Sequence, residues 1–155
     1  MNNIIKEGTL NNGQAFYVRC LMMGDLPLIM NLQEVVKNTL KTAAILKPLS
    51  QQEFSFILSG NGSMIGIFTG NELIAFRALL IPEINDEHLG VDAGLTRDEL
   101  AKVIYSEVSN VHPTYRGNGL QTLMERHYLK RSIAGDSALY VQPSLRLTSR
   151  ASKIN

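Results

Sequence analysis

The order of elements legible in this sequence, β-β-α-α-β-β-β-α-β, predicts an α/β protein of the α+β type, a mixed, mainly antiparallel twisted sheet flanked by helices. Three observations carry that expectation. Two stretches alternate or concentrate apolar residues on either side of Asn-Gly and Gly-Asn turns, as hairpins do. One stretch repeats apolar residues at helical spacing. A β-rich run passes through a glycine-containing turn into a second helical pattern. With 155 residues, no repeat and no Pro/Ser-rich linker, residues 1–142 read as one domain and 143–155 as a polar, basic tail. A chain of this length buries about 68–70% of its unfolded surface without needing disulfides.

The elements follow in chain order. Ile4–Lys6 and Gln14–Met22 flank Asn11-Asn12-Gly13 and open the fold as two strands. Asp25 is placed to cap a helix whose apolar face is Leu28, Ile29, Leu32, Val35, Val36 and Leu40. Ser50-Gln51-Gln52-Glu53 is a capping box for a shorter helix that stops at Gly60. Ser63–Thr69 and Glu72–Ile81 form a hairpin joined at Gly70-Asn71. Residues 82–102 are the least regular, with one helical turn expected at Thr96-Arg97-Asp98-Glu99. Val103–Val111 is a strand, Leu120 to about Arg131 a helix, and Ala138–Gln142 a last short strand.

Composition excludes collagen-like, disordered and disulfide-scaffold classes: 45% of residues are hydrophobic and there is one cysteine. The longest apolar stretch is interrupted by Arg77 and the N-terminus has no signal-peptide core, so a cytoplasmic protein without membrane association is expected. Cys20, in an alternating strand, reads as a small packed side chain. Met22, Met23, Met30, Met64 and Met124 read as core filler. His88, His112 and His127 are too scattered and too poorly matched with acids for a metal site, so none is expected. The net charge of +1 divides unevenly. Residues 126–155 carry six basic side chains and one acid, net +5, and residues 1–125 carry nine and thirteen, net −4. Without interleaved aromatics in the tail, nucleic-acid binding is not expected.

The chemistry concentrates in residues 107–121. A turn containing Gly117 and Gly119 that opens a helix leaves backbone N–H groups unpaired and accessible, which suits a phosphate. A Walker loop is excluded because Gly119 is followed by Leu120-Gln121, and a dinucleotide fingerprint because no third glycine follows. The run Val111-His112-Pro113-Thr114-Tyr115-Arg116-Gly117-Asn118-Gly119-Leu120 resembles the acetyl-CoA signature of the GNAT superfamily of N-acetyltransferases, Gln/Arg-x-x-Gly-x-Gly/Ala. Arg116 and Gly119 match it, while Gln121 stands where the family has Gly or Ala. The resemblance covers roughly residues 14–142.

The resemblance implies a GNAT-like fold and direct transfer of an acetyl group from acetyl-CoA, the co-substrate, to a primary amine of a small molecule or peptide. It implies that Ser109, Asn110 and Val111 run along the pantetheine arm, with Arg116, Gly117, Asn118, Gly119, Leu120 and Gln121 around the pyrophosphate. An ammonium is not a nucleophile, so the reaction needs a base, and Glu107, four residues before Val111, is the candidate. Tyr140, or Tyr105, is the candidate general acid for the departing thiolate. The acids Glu83, Asp86, Glu87, Asp92, Asp98 and Glu99 suggest a cationic acceptor. After Gln142 the sequence lacks the Asn-bearing turn, helix, Gly-Phe pair and two strands with which the family continues. A sheet short of strands exposes an edge, so a dimer or other homo-oligomer is expected. The alternative reading is a GNAT-like protein that holds CoA without turning it over.

Overall fold

The computed structural model describes residues 4–39, 48–81, 103–126 and 139–141, with 103–107 and 139–141 as backbone. Six strands form one sheet in sequential order, β1 (Ile4–Thr9), β2 (Ala15–Cys20), β3 (Gly62–Thr69), β4 (Glu72–Leu80), β5 (Val103–Val111) and β6 (Leu139–Val141). Every neighbouring pair is antiparallel except β5 and β6, which run parallel. Between β2 and β3 lie α1 (Leu26–Thr39) and α2 (Gln51–Phe56). A third helix, α3, begins at Leu120 and is described through 126. The expected element order and fold class are therefore observed; Leu40, Thr96–Glu99, the acidic residues from 83 to 99, His127 and the tail lie outside the described residues.

Side-chain alternation divides the interior into two layers. Leu73, Phe76 and Ala78 of β4 and Val108 of β5 pack with Ile29, Leu32 and Val36 of α1 and Phe54 of α2. Val18, Ile65, Ile67, Ile74, Ala75 and Leu79 point the other way and meet Leu120 and Met124 of α3. Helices cover both faces, so β3 and β4 read as nearly continuous apolar runs rather than alternating ones. Gly66 in β3 leaves room for the Leu21 and Leu73 side chains, where a Cβ would sit 2.6 and 2.8 Å from them.

Local signals explain most boundaries. The first hairpin closes through Leu10 N–H to Gln14 O at 2.8 Å with Gly13 at φ 89°, a left-handed position that suits glycine. The capping box is formed: Ser50 Oγ accepts from Glu53 N–H at 3.1 Å and Glu53 Oε1 from Ser50 N–H at 3.3 Å. Helical winding then widens into a π-type turn, Ile57–Asn61, ended by Gly60 at φ 110°.

Three details differ from expectation. The carboxylate of Asp25 closes a 3-10 turn, Met23–Asp25, by accepting from Met22 N–H at 2.8 Å and from both Arg19 guanidinium nitrogens at 2.9 Å. A bidentate cation is the stronger partner, so the side chain turns back toward β2. On α1, Leu28 is exposed while Gln33 is buried. Met64 and Met124 fill the core, but Met22 is 67% and Met23 44% exposed. Cys20 is half-buried. Among the described residues no helix is long and apolar enough to cross a membrane.

Candidate active site

The site forms beyond the stretch of β5 that pairs with β6 among the described residues. Strand β6 pairs with β5 at Val103, Ile104 and Tyr105; Ser106 and Val108 to Val111 pair with β4 alone among the described residues. Among the described residues that leaves a row of backbone donors and acceptors on one side of β5 without a strand partner. Glu107 falls at an irregularity in the same stretch. Ala78 of β4 pairs with Val108 and Leu79 with Ser106, so Glu107 is the extra residue of a β-bulge. Tyr140 lies on β6 opposite Ile104, and Tyr105 lies opposite Val141, so both tyrosines sit in the stretch where β5 and β6 pair.

Beyond Val111 the chain turns sharply. His112 caps a short 3-10 turn, Pro113–Tyr115, its Nδ1 accepting from Thr114 N–H at 3.1 Å. Pro113 occupies the first position, where a missing N–H costs nothing. Tyr115 packs edge-on against the His112 ring, 5.6 Å between centroids. The His-Pro-x-Tyr sequence is thus a self-contained corner that redirects the chain toward α3.

Gly117 and Gly119 follow at φ 85° and 69°, both in the left-handed region. A Cβ on either would meet no atom within 4 Å, so glycine is required by backbone conformation and the space above both residues is open. The first bond of α3 runs from Leu123 N–H to Gly119 O at 3.0 Å, so the N–H groups of Leu120, Gln121 and Thr122 precede the helical ladder.

These features enclose a cavity of about 400 Å³. Ser109, Asn110 and Val111 form its strand wall; Arg116, Gly117, Gly119, Leu120 and Gln121 form its loop wall; Val36 reaches in from α1 and Tyr115 from the corner. Among the described lining residues Arg116, exposed, is the cationic side chain. Ser109 Oγ donates to Gln121 Oε1, so the Gln121 side chain lies back toward β5 instead of standing over the glycines.

Asn118 has another place. Its Nδ2 donates to Tyr115 O at 2.9 Å and its Oδ1 accepts from Asn11 N–H at 2.9 Å. Asn11 Nδ2 in turn donates to Gly117 O at 3.0 Å. The turn of the first hairpin is thereby tied to the glycine loop, more than a hundred residues away in sequence. Sequence reasoning missed Asn11 as a support of this site because the Asn-Gly pattern already had a sufficient local explanation.

The fold is that of known acetyltransferases. At the level of sequence no family model and no curated protein matches the chain. Among solved structures, the ribosomal-protein-S18-alanine N-acetyltransferase from Escherichia coli superposes with a TM-score of 0.59 at 12% identity, over 89% of this chain and 76% of that one. An N-acetyltransferase from Staphylococcus aureus Mu50 gives 0.57 at 14% identity, over 88% and 82%. An aminoglycoside acetyltransferase from an uncultured soil metagenomic sample gives 0.56 at 10% identity, over 90% and 84%. The sheet and helices are those of the GNAT acyltransferase fold.

Proposed function

We propose that this chain is an acetyl-CoA-dependent N-acetyltransferase acting on a primary amine of a small molecule or peptide. The observation that carries the reading is the juxtaposition of the side of β5 without a strand partner among the described residues with the left-handed glycine loop across one cavity. An extended amide-bearing arm fits the first, and a phosphate the second. The residues suit the group: open backbone at Gly117 and Gly119, Arg116 as counter-charge, and Ser109 to Val111 as a strand for the arm to pair with.

Bound acetyl-CoA supplies an electrophilic thioester carbonyl. The acceptor ammonium first loses a proton to the Glu107 carboxylate, directly or through one water, which frees the nitrogen lone pair for attack. The C–N bond forms, the C–S bond breaks, Tyr140 O–H delivers a proton to the departing sulfur, and the second proton shed by the acylated nitrogen restores the Tyr140 phenol. Glu107 suits the base role by position, being the bulged residue on the open stretch of β5. Similar folds act on a ribosomal protein and on aminoglycosides, as their names state; with the acids between residues 83 and 99, this favours a cationic acceptor.

The test has two stages. Acetyl-CoA at a hundred times its Kd should stabilise the protein by about 2.7 kcal/mol, read as a rise in melting temperature. Thiol release should then appear with at least one member of an amine panel, and Glu107→Gln should lower kcat/KM by about 10²–10⁴-fold. No thermal shift with acetyl-CoA or CoA would refute the reading. A shift with no turnover on any amine would make the protein a CoA-binding module, and a loss below about threefold in Glu107→Gln would remove that residue from the mechanism.

A further inference from the structure

We infer that the side-chain carboxamide of Asn110 is itself a ligand group, donating a hydrogen bond from Nδ2 to an amide carbonyl of the bound arm. The inference rests on the function proposed above and extends it from the strand backbone to one side chain. Asn110 is 2% exposed and lines the cavity, yet its Nδ2 has no hydrogen-bond partner. Such a group is costly to bury, and a folded protein retains it where something outside the chain completes it.

Its position selects the partner. Asn110 pairs with Phe76 on β4, and Phe76 and Val108 both belong to the layer packed on α1. Its side chain therefore lies on the α1 side of β5, the side from which Val36 also lines the cavity. Along β5 it stands between the glycine loop that follows Val111 and the bulge at Glu107, about 10 Å from the latter at strand rise. A group reaching from a phosphate at the glycine loop to a reacting carbonyl near the bulge would pass Asn110, where an arm amide could meet it. A primary carboxamide donor there recognises a carbonyl oxygen; the apolar neighbours Val36 and Val111 supply none.

Asn110→Leu, of similar volume, tests this by calorimetric titration of three ligands: CoA, acetyl-CoA, and 3′-phosphoadenosine 5′-diphosphate, which carries the phosphates without the arm. The expected result is an about tenfold weaker Kd for CoA and acetyl-CoA alike and an unchanged Kd for the nucleotide. Removing a buried unpartnered amide should at the same time raise the melting temperature of the unliganded protein, by about 2–4 °C. A CoA affinity equal to wild type, an equal loss for the nucleotide, a loss confined to acetyl-CoA, or a lower melting temperature would each overturn the assignment. Wild-type protein that binds none of the three ligands refutes the proposed function, and this inference with it. Wild type that binds all three beside an unaffected variant refutes the inference alone. Asn110→Ala gives the same comparison should the leucine variant not fold.

Discussion

Two carboxamides are buried among the described residues, Gln33 at 4% and Asn110 at 2% exposure, and their surroundings are opposite. Gln33, on α1, donates from Nε2 to Leu49 O at 2.7 Å and accepts at Oε1 from Leu49 N–H at 3.1 Å. It behaves as a piece of backbone, satisfying a buried peptide where the chain re-enters the core ahead of α2. Asn110 sits on a cavity wall with its Nδ2 unpartnered. The same functional group, equally buried, is completed by the protein in one place and left incomplete in the other. The difference separates a polar group that builds the fold from one that awaits a ligand.

The sharpest way to break the comparison is Gln33→Leu. It leaves the N–H and C=O of Leu49 buried without partners, so stability measured by urea denaturation should fall by about 2–4 kcal/mol. CoA affinity of the folded fraction should be unchanged; a CoA defect at constant stability would show that the two carboxamides do not divide as described.

Gly117→Ala and Gly119→Ala come next. Nothing crowds their Cβ positions, so the cost is conformational, about 1–2 kcal/mol each for a left-handed alanine. It should appear as weakened binding of 3′-phosphoadenosine 5′-diphosphate, because the loop relaxes away from the phosphate. Retained nucleotide affinity would detach the loop from the site.

Asn11→Ala probes a polar group that is paired but serves the site. It removes the Asn11 Nδ2 to Gly117 O bond and should cost about 0.5–1.5 kcal/mol, with an about threefold weaker Kd for CoA. An unaltered Kd would make the tie purely structural, like Gln33.

The smallest effect on ligand binding is expected at Asp25, remote from the cavity and useful as a control. The Arg19 guanidinium, together with the Met22 N–H, holds the Asp25 carboxyl below its usual range, and the same pairing raises Arg19, which stays charged at any accessible pH. A depressed carboxyl contributes stability that is complete above its unfolded value near pH 4 and is lost as pH falls through the folded value beneath it. Asp25→Asn should therefore cost about 1 kcal/mol at pH 7, in a pair that is only partly buried. The gap to wild type should close below about pH 4, as followed by thermal melts. A gap independent of pH would assign the loss to packing.

Most of the fold is legible in the residues themselves. The turns at Gly13 and Gly70, the capping box at Ser50 and the strand limits of β5 fall where the sequence places them, because each depends on contacts within a few positions. The glycine loop is legible for the same reason. What escapes is long-range: Leu28 against Gln33 on α1, Asp25 turning to Arg19, and Asn11 reaching Gly117.

The sequence by itself determined the element order, the two hairpins and a loop whose glycines must adopt left-handed backbone, since local sterics and periodicity decide these. Only the tertiary structure decided that β6 pairs with β5 at Val103 to Tyr105, that Glu107 is a bulge, and that Asn110 is buried against a cavity with its amide nitrogen unpartnered. Those are facts of register and mutual burial between segments far apart in the chain, and no local pattern of residue types encodes which neighbour a buried polar atom will lack.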